Sequence, residues 1–466
     1  MLYDLEWLKT GEVFPPASEK ERIMRYASNL KVFSGDMWGL EDEYQPYLNR
    51  IQKVISNFGA FFQFPILLNY QKLITLKMAD LVCGEHPTIN GSDMNQGSVL
   101  QELRDDTAFD GKLYATAIDA SRYGDAIWRV YKTKENKNTF CVWSPNMWFP
   151  IVAGDGTLDI IHQVLCWITE THLHAQIHDA GSYDYRIFEM DVNKGIIGPQ
   201  VFSGRVPTGL KYNAVLAIRP YMLSDTIYGE DDYFIVDSIL AELMVRVSQV
   251  SSVLDKHADP SMTGPVSMLT EDPTTGKMYL KPGQFYGVSV GEDQPKYLTW
   301  DGNLESSFKQ MEFLCNQLYV LSELGAAILG TADAGSQAIS GTAMRFKMVA
   351  PLAKARRLTN SLTLPVRHLL SMVSQIGYTP IDRANISIEW NDGLPDDPKE
   401  NAEIAKILTG VNSMMPLELA IIEYFGRTND EAKRWLDLLS KQQDEENKRE
   451  MAKEKESREL GLKHFK

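Results

Sequence analysis

Three histidines, His172, His174 and His178, fall at even spacing in a β-branched and aromatic stretch. On a strand His172 and His174 point to one face, and two imidazoles placed so could begin a metal site. No cysteine or acidic residue completes a ligand set there, and the bland alternative is an exposed edge strand. Two acidic runs, Glu230-Asp-Asp232 and Asp396-Asp397, offer paired carboxylates of the kind that hold catalytic cations. Both also suit the positive end of a helix dipole, which is the simpler reading. Nucleotide hydrolysis would need a Gly-rich loop closed by Gly-Lys-Ser/Thr, whose amides and lysine cradle phosphates. Gly111-Lys112 is followed by Leu113 and Gly276-Lys277 by Met278, each without the preceding glycine. Nucleophile-elbow, zinc-protease and dinucleotide fingerprints are equally missing. No catalytic residue, metal ligand or cofactor site is expected, and the chain reads as a non-enzyme.

The most informative chemistry lies in residues 330–382. Gly330 to Thr342 is small, polar and glycine-rich, with Asp333 as its one charge and Gly330, Gly335 and Gly341 as pivots. No acidic residue follows Asp333 until Asp382, while Arg345, Lys347, Lys354, Arg356, Arg357 and Arg367 lie between them. That asymmetry stands out in a chain of net charge −15. The segment reads either as a surface linker or as a functional loop.

These residues need elements to position them. The 466 residues, 44% hydrophobic and 23% charged, belong to a globular protein of about two to four lobes. Neither a signal peptide nor a membrane span is expected, since the apolar run from Phe58 to Tyr70 is interrupted by Gln63 and Pro65. Cys83, Cys141, Cys166 and Cys315 have no Cys-x-x-Cys spacing and read as free buried thiols in a reducing compartment. Pro15 and Pro16 precede a helix start at Ser18 to Arg22. Helical spacing follows over 57–82, and a second helix is expected over 98–121. Residues 125–220 carry short strands of an antiparallel sheet, at 126–131, 139–143, 160–169, 171–178 and 185–190. A helix from Glu230 to His257 presents Phe234, Ile235, Ile239, Leu243, Val247, Val250 and Leu254. A turn-rich, β-containing insert occupies 261–302, and a second long helix runs from Leu304 to Leu329. The chain then continues as a helix over about 343–375 with Pro351 and Pro365 inside it, expected to kink. A strand over 385–390 precedes a helical remainder, and the fold class is α+β, mainly helical.

This order resembles the portal, or head-to-tail connector, family of long-tailed bacteriophages. The resemblance rests on Asp80 to Pro87, on Val142 to Ile151 followed by Gly154-Asp-Gly156, and on Ser251 to Pro260. It rests also on Ser340-Gly-Thr-Ala-Met-Arg345 and on Ile388 to Asp397. It spans residues 57 to about 440, while the first ~55 residues fit no pattern of the family. It implies an α/β wing over 1–228, a stem of two helices over 229–260 and 303–329, and a small α/β clip over 261–302. A tunnel loop over 330–341, a kinked helix over 342–377 and a wing strand with helical crown over 378–466 complete it. It also implies a structural ring of twelve subunits at one capsid vertex of the virion, assembled in the host cytoplasm. Its partners would be the terminase large subunit, scaffold and major capsid protein, and neck or adaptor proteins. Double-stranded DNA would pass the channel in packaging and ejection without sequence preference. The rival from the same setting is another virion structural protein, such as a neck adaptor or baseplate component.

Within that resemblance Asp333, Ser336, Gln337, Ser340, Thr342, Arg345 and Lys347 become the expected DNA-channel loop. Small hydroxyl and amide groups touch a backbone weakly and without base readout. Arg356 and Arg357 could meet phosphates or bridge to acidic neighbours on the next subunit, and the second role is the favoured expectation. The acidic net charge would itself repel DNA, which argues against a DNA-binding regulator but does not exclude a surface past which DNA slides.

Overall fold

In the computed structural model the described residues are 1–36, 66–258, short pieces of 262–297, 304–329, 346–391, 398–410, 414–425, 427 and 429–463. They fall into two compact units, residues 1–336 with 347–393 and residues 337–346 with 394–466.

In the larger unit a 3-10 turn at Ala17–Glu19 leads into α1 (Lys20–Ser34), where the sequence expects a helix start. Helix α2 (Tyr70–Cys83) is capped by Asn69, whose side chain accepts the Lys72 N–H. Residues 66–69 of the expected helix over 57–82 are not helical, and residues 57–65 lie outside the described residues. After strand β1 (Thr88–Asn90) come α3 (Met94–Thr107) and α4 (Phe109–Tyr123). The expected single helix over 98–121 is therefore two. Ala108 takes a left-handed φ of 50°, which no helix interior tolerates, and ends α3 as it starts α4.

The strand region holds two antiparallel sheets rather than one. Strands β2 (Ala126–Lys132), β3 (Asn138–Trp143), β4 (Trp148–Val152), β5 (Ile160–Ile168), β6 (His172–Asp179), β7 (Ser182–Asp191), β8 (Ile196–Pro207) and β9 (Val215–Ile218) follow in order. Strands β4 to β8 form a five-stranded meander, and β3-β2-β9 form the smaller sheet. One face of the meander buries Phe149, Val164, Cys166, Leu173, Ile177 and Phe188 beneath Leu2, Trp7, Leu8 and Phe14 of the N-terminal segment. Each such side chain contributes about 1.5–3 kcal/mol on burial. On the other face Trp148 and Leu165 pack with Ile127 and Val215, which joins the two sheets. The first residues thus fill the core of the larger sheet.

The helix expected from Glu230 begins later, as α5 (Asp237–Ala258). Asp231 Oδ1 accepts the N–H groups of Tyr233 and Phe234 at 3.0 Å and turns the chain first. Tyr233 enters the core, with its hydroxyl 2.7 Å from Thr75 Oγ1, and this sets the helix phase. The buried face runs through Val236, Leu240, Met244 and Ser248, leaving Phe234, Ile235 and Leu254 of the expected stripe exposed.

In the insert, Met262–Thr263 pair with Lys296–Tyr297 and Thr270–Glu271 pair with Met278–Tyr279, antiparallel in both cases. The expected second long helix is α6 (Glu305–Leu321) followed by one turn, α7 (Gly325–Ile328), with Glu323 at φ 60° in the break. Helix α8 (Val349–Ser374) keeps helical assignment through Pro365. Pro351 sits in its first turn, where the missing N–H would be unbonded anyway, so it does not interrupt the helix. Strand β10 (Ser387–Glu389) closes the unit by pairing antiparallel with β1. The smaller unit comprises α9 (Pro398–Leu408), α10 (Leu417–Phe425) and α11 (Asn429–Lys463), with Ala405, Ala420, Ile421 and Ala432 buried. The fold class is α+β, mainly helical, as expected.

Candidate functional site

Two of the cations between Asp333 and Asp382, Lys354 and Arg357, organise a junction of α4, α6 and α8 with the turn before α5. Lys354, in the second turn of α8, is 8% exposed. Its Nζ lies 2.7 Å from Asp232 Oδ1 and donates to the Ser322 carbonyl at 2.9 Å. Asp232 also accepts the Ser121 hydroxyl, so both its oxygens are used. A buried ammonium is tolerable only when paired and hydrogen-bonded in this way. One turn on, Arg357 Nη2 meets both carboxylate oxygens of Glu323. The Tyr221 hydroxyl donates to Glu230, and burial together with that carboxylate raises its pKa. A cavity of about 110 Å³ lies among Ser121, Tyr221, Asp232, Glu323 and Lys354.

Glu230-Asp-Asp232 is thus not an acidic first turn of a helix. Asp232 pairs with Lys354, while Asp231 and Asp237 hold Arg25 at 2.9 Å each. Nearby, the buried Glu19 accepts from Arg22 Nε at 2.7 Å and from the Tyr228 hydroxyl at 2.7 Å. Burial pushes its pKa up, but Arg22 and these hydrogen bonds outweigh burial and lower it. Asp125, fully buried, accepts the Tyr26 hydroxyl and the Gly229 N–H. Its pKa is pushed up to about 6, because burial outweighs Tyr26, Gly229 and the neighbouring arginines.

Of the expected channel residues, Asp333, Ser336, Gln337, Ser340, Thr342 and Arg345 lie outside the described residues, as do Asp396 and Asp397. Lys347 is exposed just before α8. Arg356 and Arg357 are both exposed on α8, and they differ: Arg357 is engaged by Glu323 of its own chain. Arg356 has no side-chain partner among the described residues.

The histidine stretch is not an edge strand, because β6 is central in the meander, paired with β5 and β7. His178 is 1% exposed and its pKa is lowered to about 3, by burial and then by Arg129. His172 and His174 share a face, as the spacing requires, but the His174 ring stacks on Trp167 with 4.8 Å between centroids. Among the described residues no cluster of His, Cys, Asp and Glu could hold a metal. All four thiols are free; Cys83 and Cys166 are buried as expected, whereas Cys141 and Cys315 are half-buried. Burial raises the Cys83 pKa to about 12, which suppresses its thiolate. No described helix is long and apolar enough to cross a membrane.

The sequence missed the role of Glu323 and could place Lys354 only within a basic run. A lysine and an arginine three apart on a helix otherwise free of acid were the available signal. Their partners lie 32 and 34 positions upstream for Ser322 and Glu323.

Residues 39–161 match the family described as Phage portal protein, SPP1 Gp6-like. The expected resemblance to phage portal proteins is borne out. No curated protein matches the chain. Three solved structures are similar to it. A chain from the neck of the native GTA particle, with C12 symmetry, has a TM-score of 0.46 and 11% identity, over 76% of this chain and 89% of that one. A chain from the virion of the native gene transfer agent particle has a TM-score of 0.45 and 11% identity, over 81% and 98%. A chain from the neck of the empty GTA particle, with C6 symmetry, has a TM-score of 0.45 and 13% identity, over 83% and 93%.

Proposed function

We propose that this chain is the subunit of a phage portal, a structural ring at one capsid vertex that conducts double-stranded DNA in packaging and ejection. The observation that carries the proposal is the match of residues 39–161 to the portal family. Apolar side chains exposed on helices of the larger unit support assembly: Phe308, Phe313 and Val320 on α6, and Leu254 on α5. In a ring such faces would be covered by neighbouring subunits.

In this reading the insert over 261–302 docks the terminase and later the neck proteins. The loop from Asp333 to Thr342, with Arg345 and Lys347 beside it, borders the channel. DNA must move in both directions, so phosphate contacts must be few; each one steepens the salt dependence of affinity by about 0.9 log unit per log of salt. A channel lined by neutral loops in an acidic body meets that requirement. Arg356, exposed and without a partner among the described residues, is the arginine of the pair left for a neighbouring subunit.

Negative-stain imaging and light scattering of the purified chain test the assembly. A ring of about a dozen chains with a central hole is expected from the cyclic symmetry of portals, and a strict monomer across protein and salt concentrations overturns it. Deleting residues 333–337 should leave the ring intact and impair packaging or retention of DNA; wild-type packaging by that variant removes the loop assignment.

A further inference from the structure

Strand β8 forms one edge of the meander. Its beginning is covered by the N-terminal segment. Gly11 N–H donates to the Ile197 carbonyl at 2.7 Å, Ile197 N–H to Glu12 at 2.9 Å, and Phe14 N–H to Gly195 at 2.7 Å. Beyond Gly198 that cover stops, and from Gln200 to Pro207 only β7 pairs with the strand among the described residues. Every second backbone group of an edge strand points away from the sheet and needs a partner. A bulge at Val201 interrupts the pairing with β7, but the other usual protections are lacking here. The segment from Gln200 to Val206 contains no lysine and no proline, and its one charge is Arg205. Val201 and Phe202 are 50% and 47% exposed.

Its two faces differ in chemistry. Phe202 faces the same side as Ile187, and its ring lies 5.7 Å from Tyr185, which continues a stack through His174 and Trp167. On the opposite face Arg186 stands across from Ser203, and Arg205 across from Asp184. Arg205 donates to Ser182 Oγ at 2.8 Å and 3.1 Å, and neither guanidinium forms an ion pair among the described residues. In a chain with 62 acidic and 47 basic residues, two neighbouring arginines beside a single carboxylate, Asp184, which forms an ion pair with neither, are a local excess of positive charge.

We propose that the edge of β8 from Gln200 to Val206 captures an extended segment of a second protein. That segment adds as a sixth strand, with acidic side chains toward Arg186 and Arg205 and apolar ones toward Phe202 and the aromatic stack. Backbone hydrogen bonds supply the attachment, and alternate side chains supply the selectivity. A second copy of the same edge is disfavoured. Edge-to-edge pairing about a two-fold axis stops at two chains, and it brings two arginine-bearing faces together.

The test uses the full chain and a fluorescein-labelled peptide of about nine residues, a strand's length, alternating glutamate with valine and a central tyrosine. Control peptides carry lysine for glutamate, or prolines at the two central positions. Fluorescence polarisation should show saturable binding of the glutamate peptide and at least about tenfold weaker binding of both controls. Arg205→Glu, an exposed position, should reverse the preference between the glutamate and lysine peptides. Hydrogen exchange should slow at 200–206 when the glutamate peptide is bound. No binding, equal binding of the proline control, or protection elsewhere overturns the proposal. So does a concentration-dependent dimer of the free chain that the Arg205→Glu substitution alters, since the edge would then belong to a second copy. The peptide test does not depend on ring formation, so its failure and that of the portal reading are separable.

Discussion

Arg357 grips Glu323 through both carboxylate oxygens, at 2.6 and 2.7 Å, across 34 positions of sequence. Glu323 holds a left-handed φ of 60° in the break between α6 and α7, a conformation unfavourable for any residue with a Cβ. The pair ties the break between α6 and α7 to the third turn of α8, and in sequence the glycine-rich segment lies between α7 and α8.

Both partners of that pair are about two-fifths exposed, so its contribution is small. Arg357→Ala should lower stability by only about 0.5 kcal/mol, and less in high salt. Glu323→Gly loses the pair but relieves the left-handed backbone, a gain of up to about 1 kcal/mol, so it should be near neutral. Urea unfolding of both single variants and the double variant measures the coupling. A coupling well above about 1 kcal/mol would contradict the exposure argument.

Lys354 is the opposite case. Lys354→Met should lower stability by about 3 kcal/mol or more, because Asp232 keeps its charge in a buried site and the Ser322 carbonyl loses a donor. Adding Asp232→Asn should recover part of that loss. Chemical denaturation of the three proteins decides, and an additive result would show that the two groups act independently.

Asp125 sets a pH dependence. Its folded pKa of about 6 lies above the ordinary value of 3.8, so the folded state binds the extra proton. Its contribution is fully present below about pH 4 and is lost as pH rises through about 6. The stability of the wild type relative to Asp125→Asn should therefore fall across that window, by up to about 3 kcal/mol. Parallel melting curves from pH 4 to pH 7 measure it; a difference independent of pH would refute the burial account.

Gly124 and Gly229 cross at backbone distance. A Cβ on Gly124 would lie 2.6 Å from the Gly229 backbone, and one on Gly229 would lie 1.9 Å from the Gly124 carbonyl oxygen. Gly124 also has a φ of 79°. Gly229→Ala should destabilise by more than about 3 kcal/mol and reduce soluble yield, with Gly124→Ala close behind. The exposed Gly154, with open space around it, serves as the neutral control.

Local pattern was enough for much of this protein. Short β-branched and aromatic runs located β2, β3, β5, β6 and β7 to within a few positions, because such side chains favour strands and the glycine breaks between them favour turns. The prolines before α1 marked its start for the same local reason. Of the portal-like segments, those at 80–87 and 142–156 fall within the match over 39–161.

What sequence could not decide were matters settled by partners far along the chain. The phase of α5 depends on Tyr233 reaching Thr75, which no periodicity within 230–258 encodes. The central place of β6 depends on pairing with β5 and β7, and it turns His178 from a surface side chain into a buried neutral one. Arg356 and Arg357 are neighbours of one type in sequence, yet only Arg357 falls within reach of Glu323. Adjacent positions on a helix point about 100° apart, so the fold gave one of them a carboxylate and left the other to solvent.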